Sequence, residues 1–258
     1  MNILNLYAGV GGNRKKWHGH DVVAVEWDPK IADVYQRLFP GDEVVVDDAH
    51  QYLLDHGHEF DFIWSSPPCQ SHSRMVKGGR NRKPRYPDLR LYEEILYLQH
   101  FAKVPWIVEN VVPYYEVLIP ATKVGRHLFW SNFEFEVEDV PRPANFINST
   151  PVAGKELLMD WLGIHYDANV YYDGNHCPAQ VLRNCVHPDI GAAILAAALQ
   201  QDLMDWLGIY YEGNVYYDNN HCPFQVLRNC VHPDIGAAIL AAALKQVLGA
   251  AQARPDAA

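Results

Sequence analysis

Ser65-Ser66-Pro67-Pro68-Cys69-Gln70 sets a thiol on a stiff perch. The segment follows Phe60-Asp61-Phe62-Ile63-Trp64, a short apolar run that reads as a buried strand. Each proline fixes φ and removes a backbone donor, so the pair ends the strand and stiffens the turn. A cysteine placed there stands at the carboxyl end of a strand, where open α/β sheets bind ligands. Once ionised, it is a nucleophile able to attack one atom of a substrate. Taken alone, it is equally a small buried residue in a Pro-rich turn. What separates the two readings is the chemistry the rest of the chain carries to the same edge.

Five further stretches bring such chemistry. Ala8-Gly9-Val10-Gly11-Gly12 lies between an apolar strand, Asn2 to Tyr7, and a polar, helical stretch from Asn13 to Trp17. Glycines at that junction let the backbone approach a ligand and present N–H groups, or simply make a tight turn. Glu26 ends a second strand, Val22 to Val25, and is placed to hold a ribose diol; the alternative is a solvated strand end. Asp28 caps the next helix, with Pro29 at its first position and its end near Leu38. Asp47-Asp48 follows a third strand, Glu43 to Val46, and either meets a ligand or makes a turn. Glu109-Asn110-Val111 closes a later strand, Trp106 to Val108, and carries a carboxylate to the edge that holds Cys69. Its alternative is a strand-end acid paired with a nearby cation. Arg126 precedes another apolar strand.

The net charge is −10, from 21 Lys and Arg against 31 Asp and Glu, which by itself disfavours a nucleic-acid partner. One segment reverses the balance. Arg74, Lys77, Arg80, Arg82, Lys83, Arg85 and Arg90 crowd together with Asp88 as their only acid. From Ser71 to Arg85 there is no apolar period, so the segment reads as a mobile loop, and beside Cys69 it suits phosphate contact. The five cysteines make no evident disulfide framework and fit a reducing compartment. The opening residues lack a signal-peptide pattern and no apolar run reaches membrane-span length, so a cytoplasmic protein is expected.

The elements that must position these groups alternate as strand, acidic tip and helix. That pattern predicts a parallel sheet with helices on both faces. An amphipathic helix runs from Asp88 to Ala102, with Leu91, Ile95, Leu98 and Phe101 on one face. Residues 133 to about 157 read as irregular. Residues 158–199 and 203–244 are near-copies offset by 45, differing at five of 42 positions, among them His165 against Tyr210 and Ala179 against Phe224. Each copy ends in an Ala-rich apolar helix. Their His and Cys residues match no zinc spacing, and no metal is expected.

In order along the chain, Leu6-Tyr7-Ala8-Gly9-Val10-Gly11-Gly12, Pro67-Pro68-Cys69-Gln70 with Ser71 and Ser73, Glu109-Asn110-Val111, and Gln180 with Arg183-Asn184-Cys185-Val186 resemble motifs of the DNA cytosine-C5 methyltransferases. The chain is similar in size to compact phage or bacterial members of restriction-modification type. The resemblance implies a Rossmann-like, S-adenosylmethionine-dependent methyltransferase fold of the α/β class with a small C-terminal lobe. It implies a core over 1–132, a short target-recognition or connector region over 133–179, a late-motif segment over 180–199, and a duplicate over 203–244.

The same resemblance makes Cys69 the nucleophile towards C6 of a flipped-out cytosine and Glu109 its partner at N3. Arg126 binds the base or a nearby phosphate. It places S-adenosylmethionine over Tyr7, Gly9, Gly11, Gly12 and Pro67, with Glu26 at the ribose, Trp27 beside the adenine and Asp48 at its amino group. Asn184 and Val186 close the pocket, or Asn229 and Val231 if the second copy docks. Ser71, Arg74, Lys77, Arg80, Arg82, Lys83 and Arg85 face double-stranded DNA. The alternatives are tRNA as substrate, or a DNA- and cofactor-binding protein disabled by the duplication. The expected state is a monomer, with self-association through the duplicated helix as the alternative.

Overall fold

Seven strands make one sheet in the order β3-β2-β1-β4-β5-β7-β6. They are β1 (Asn2–Leu6), β2 (Asp21–Val25), β3 (Glu43–Val45), β4 (Phe62–Ser65), β5 (Trp106–Val111), β6 (Thr122–Val124) and β7 (His127–Ser131). The helices are α1 (Pro29–Leu38), α2 (Ala49–His56), α3 (Arg90–Phe101), α4 (Pro151–Leu162), α5 (Ala179–Arg183) and α6 (Pro188–Leu207). This computed structural model describes residues 1–77, 84–144, 146, 151–171, 177–208 and 230–239. The chain divides into two units, Met1–Ala198 and Leu199–Ala258.

The first five strands are parallel, and β1 pairs with both β2 and β4. That order is the doubly wound, Rossmann-like arrangement, in which the order of strand addition reverses between β1 and β4. Successive side chains on a strand face opposite ways. Leu4 and Leu6 of β1 and Ile63 of β4 therefore meet Leu53 of α2 and Leu91, Ile95 and Leu98 of α3 on one face. On the other face, Trp17 packs against Phe62 and Trp64, and Val10 joins Ile31 and Val34 of α1 with Leu158, Leu162, Val181 and Leu182 of α4 and α5. Each such fully buried aliphatic side chain contributes roughly 1.5–3 kcal/mol. Asp28 caps α1 by accepting from the Lys30 amide at 2.8 Å, with Pro29 in the first turn.

Several elements depart from the sequence expectation. The sheet is mixed, because β7 runs antiparallel to β5 and β6. An antiparallel neighbour needs no crossover helix, and none lies between β5 and β7. Helix α2 and strand β6 were too short to announce themselves. α4 begins at Pro151, inside the stretch read as irregular. Phe101 is exposed, because α3 ends there and does not carry its apolar face a further turn.

In the second unit, Met204 and Leu207 pack with Leu203 and Cys230, and Trp206 stacks near His232 with ring centroids 4.7 Å apart. Among the described residues no helix is long and apolar enough to cross a membrane. Among the same residues no group of three or more His, Cys, Asp or Glu side chains is placed to hold a metal ion.

Candidate active site

An open cleft of about 770 Å³ lies in the first unit, at the carboxyl edge of the sheet beside the β1–β4 switch. Its walls include Tyr7, Gly9, Glu26, Pro67, Cys69, Glu109 and Arg126, with Asn184 to Val186 from the segment after α5.

The thiol comes from the turn after β4. Pro67 and Pro68 leave that turn without backbone donors of their own, so it is tied from outside: Asn110 Nδ2 donates to the Pro67 carbonyl at 2.9 Å. This buried bond clamps the cysteine turn to the strand that carries Glu109. Below it, the Cys69 carbonyl accepts from the amides of His72 and Ser73. Burial pushes the Cys69 thiol up to about 11; the Glu109 charge adds to the rise and Arg126 opposes it. In the bare protein at neutral pH the sulfur therefore keeps its proton.

Glu109 lies within β5, not beyond its end. The parallel ladder to β4 stops at Val108, while the antiparallel ladder to β7 continues to Val111 opposite His127. The Glu109 carboxyl is buried and hydrogen-bonded to His127 Nδ1. Arg126 lines the cleft, but its guanidinium donates to the Arg183 carbonyl and, at 3.3 Å, to that of Cys185. It ties the turn before β7 to the late segment. Burial lowers its pKa, against the pull of Glu109 and Cys69.

The other half of the cleft is built on the glycine turn. Tyr7 takes a positive φ of 56°, uncommon for a residue with a Cβ, and its hydroxyl donates to Glu94 at 2.5 Å. Gly9 follows with the same sign of φ, and a Cβ there would point into open space. Its amide donates to Glu26 at 2.9 Å, and the Asp28 amide donates to the other Glu26 oxygen at 3.1 Å. Burial raises the pKa of Glu26 while these bonds hold it down. Gly12 has a different duty. A Cβ there would lie 2.5 Å from Cys185 Cβ and 2.6 Å from the Val186 carbonyl oxygen, so the late segment needs it bare. Trp27 is exposed on the cleft wall. Two expected residues are not among the lining. Gly11 packs against Tyr35 and Phe39, and Asp48 caps α2 by accepting from the His50 amide.

Residues 1–111 match the family model for C-5 cytosine-specific DNA methylases, a span that contains both Cys69 and Glu109. The match covers less than half of the chain. Solved structures similar to the chain include a DNMT2 variant from Spodoptera frugiperda, 27% identical over 43% of this chain and 35% of that one, with a TM-score of 0.32. Another, described as a DNA modification methyltransferase encoded within a prophage of E. coli, is 23% identical over 45% of this chain and 33% of that one, with a TM-score of 0.33. A TehB-like SAM-dependent methyltransferase from Corynebacterium glutamicum is 21% identical over 45% of this chain and 58% of that one, with a TM-score of 0.30. The chain thus spans about a third of the length of the first two. No curated protein sequence matches it.

Beside the Cys69 thiol, the basic segment begins in order. Arg74–Lys77 is one 3-10 turn, held by a Ser73–Pro113 bridge and by the Tyr114 amide donating to the His72 carbonyl at 3.0 Å. That part is pinned to the residues after β5, where the sequence suggested a mobile loop. Ser71 Oγ accepts from the Asp88 amide at 2.9 Å, which brings the two ends of the segment together. Arg74, Lys77 and Arg85 are exposed, and the Lys77 ammonium lies 5.2 Å from the Tyr114 ring centre. Arg80, Arg82 and Lys83 lie outside the described residues, as does Asn229 of the second copy.

Three residues that support the cleft went unread in the sequence. Asn110 was visible only as part of Glu109-Asn110-Val111. Glu94 had a signal: an acid on the apolar face Leu91, Ile95, Leu98 of α3. There it is buried and accepts from Tyr7, from Ser65 Oγ at 2.6 Å and from His50 Nδ1 at 2.9 Å. His127 had no signal, because its meeting with Glu109 depends on the β5–β7 register.

Proposed function

We propose that the protein transfers a methyl group from S-adenosylmethionine to C5 of a cytosine flipped out of duplex DNA, through a covalent adduct on Cys69. The observation that carries this reading is one cleft lined both by Cys69 and Glu109 and by the glycine turn with Tyr7, Glu26 and Trp27. The donor set suits S-adenosylmethionine: an aromatic edge, a buried carboxylate for a diol, and a glycine turn that lets the backbone approach a ligand. Tyr7, Gly9, Gly12, Glu26, Trp27 and Pro67 would hold it, with Asn184 and Val186 closing over it. When bound, it supplies an electrophilic methyl group to C5.

Cys69 Sγ adds to C6 after passing its proton to the Glu109 carboxylate. A thiol raised to about 11 has to be brought down for this, and charge-assisted contacts arriving with the ligands act in that direction. Glu109 gives a proton or hydrogen bond to ring N3 as negative charge builds there, which makes C5 nucleophilic. After methylation a water molecule takes the C5 proton, N3 returns its proton to Glu109, and the C6–sulfur bond breaks to release the thiolate. Arg126 holds the late segment on the cleft while lending positive potential to the sulfur. C6 is shielded inside a duplex, so the base has to be extruded at a cost of a few kcal/mol. Ser71, Arg74, Lys77, Arg80, Arg82, Lys83 and Arg85 would grip the phosphates around it.

The test is transfer of labelled methyl to duplex DNA and, in parallel, to tRNA. Transfer to DNA is expected, with loss of at least about 10⁴-fold in Cys69→Ser, as for removal of an essential nucleophile. Full activity in that variant would remove the assigned nucleophile, and transfer to tRNA alone would replace the substrate.

A further inference from the structure

We propose that His127 is the positioning residue for Glu109, holding its carboxyl towards the cleft and keeping a hydrogen bond on the carboxylate once the proton has gone to the base. This inference rests on the function proposed above. Among the described residues, the only side chain hydrogen-bonded to Glu109 is His127. The contact follows from register. Glu109 stands opposite Phe129 and Val111 opposite His127, so Glu109 and His127 are diagonal neighbours on one face of an antiparallel pair, within reach of a long side chain. Both are buried, and the His127 ring lies 6.0 Å from that of Phe129, with little room to turn away.

The chemistry requires this placement to be firm. A carboxyl that serves ring N3 has to present one oxygen to the base, and the other has to be occupied or it will rotate. With hydrogen on Nδ1, His127 donates to Oε1 and leaves Oε2 for the cleft. When the Oε2–H proton moves to N3, Glu109 becomes a buried carboxylate. His127 Nδ1–H then bonds to a full negative charge, a stronger hydrogen bond than to the neutral acid. The proton count is unchanged at His127: one proton leaves Glu109 for N3 and comes back when the thiolate departs. A buried acid paired for stability alone is more easily replaced by an apolar residue, and it has no reason to line a cleft.

The experiment is steady-state methyl transfer to duplex DNA by the full chain carrying His127→Leu or His127→Asn, with thermal melting in parallel. His127→Leu should lower kcat by about 100-fold, the lower range for a positioned proton-transfer group, with KM for DNA and donor within about threefold. His127→Asn, whose amide N–H can stand where Nδ1–H stood, should recover at least about a tenth of wild-type kcat. Wild-type kcat in His127→Leu overturns the inference. So does a loss in both variants that merely follows their melting temperatures, because the role is then structural. Glu109→Gln separates the two levels: if it is impaired while His127→Leu is not, only the His127 inference fails. If Glu109→Gln and Cys69→Ser both transfer methyl normally, the underlying reading fails and takes this one with it.

Discussion

The two copies of the late segment share almost every residue, yet they live in opposite surroundings. Val186, Ile190 and Ile194 are 3%, 3% and 0% exposed, while their counterparts Val231, Ile235 and Ile239 are 61%, 53% and 62% exposed. Local structure does not account for this. In both copies a first-turn amide, of Asp189 or Asp234, donates to the histidine two residues before it at 3.2 Å, and a tryptophan ring stands 4.7 Å from that histidine. What differs is the partner. The first copy lies against the glycine turn and the residues after it: Trp17 Nε1 donates to the Gly191 carbonyl at 3.1 Å, and Lys16 pairs with Asp189. One sequence thus forms a helix in both places, but a core element in only one.

Paired substitutions measure how deep that difference goes. The largest effect is expected at the most buried position. Ile194→Ala should cost about 2–5 kcal/mol in chemical denaturation, whereas Ile239→Ala should stay within about 0.5 kcal/mol. Equal losses at the two sites would mean that the second helix is also covered. Next comes a change of sign. A Cβ on Gly191 would lie 2.3 Å from the Asn13 carbonyl oxygen, whereas on Gly236 it would meet nothing within 4 Å. Gly191→Ala should therefore destabilise by about 1–3 kcal/mol, and Gly236→Ala should stabilise by up to about 1 kcal/mol through helix propensity. Melting curves of the two variants should move in opposite directions. The smallest effect belongs to the exposed Lys16–Asp189 pair, whose loss in Lys16→Ala should cost at most about 1 kcal/mol and fade as salt is raised.

Much of the site was legible because it is written in short, local signals. Pro67-Pro68-Cys69 ends a strand wherever it is placed, and glycine is needed where Tyr7 to Gly12 turn with positive φ at Gly9 and Gly11. The parallel core was legible from the alternation of apolar runs with acidic tips. The antiparallel β7 was not, because a strand's direction is set by its connection and its neighbour rather than by its composition. Gly12 shows the limit from the other side. It was read as part of a cofactor turn, and its bareness also makes room for Cys185 and Val186, more than 170 residues away. From its place after a strand Asp48 was left open between ligand and turn, only the family resemblance set it at the adenine, and its side chain caps α2.

By itself, the sequence determined which side chains are available for chemistry, a thiol, a carboxyl and a glycine-lined edge, since residue type and local turn geometry act over a few residues. Only the tertiary structure decided who stands beside whom: His127 beside Glu109, Asn110 under the cysteine turn, and one of two near-identical helices in the core. Those outcomes depend on strand register and on competition for a single complementary surface, and neither is a property of any short stretch of chain.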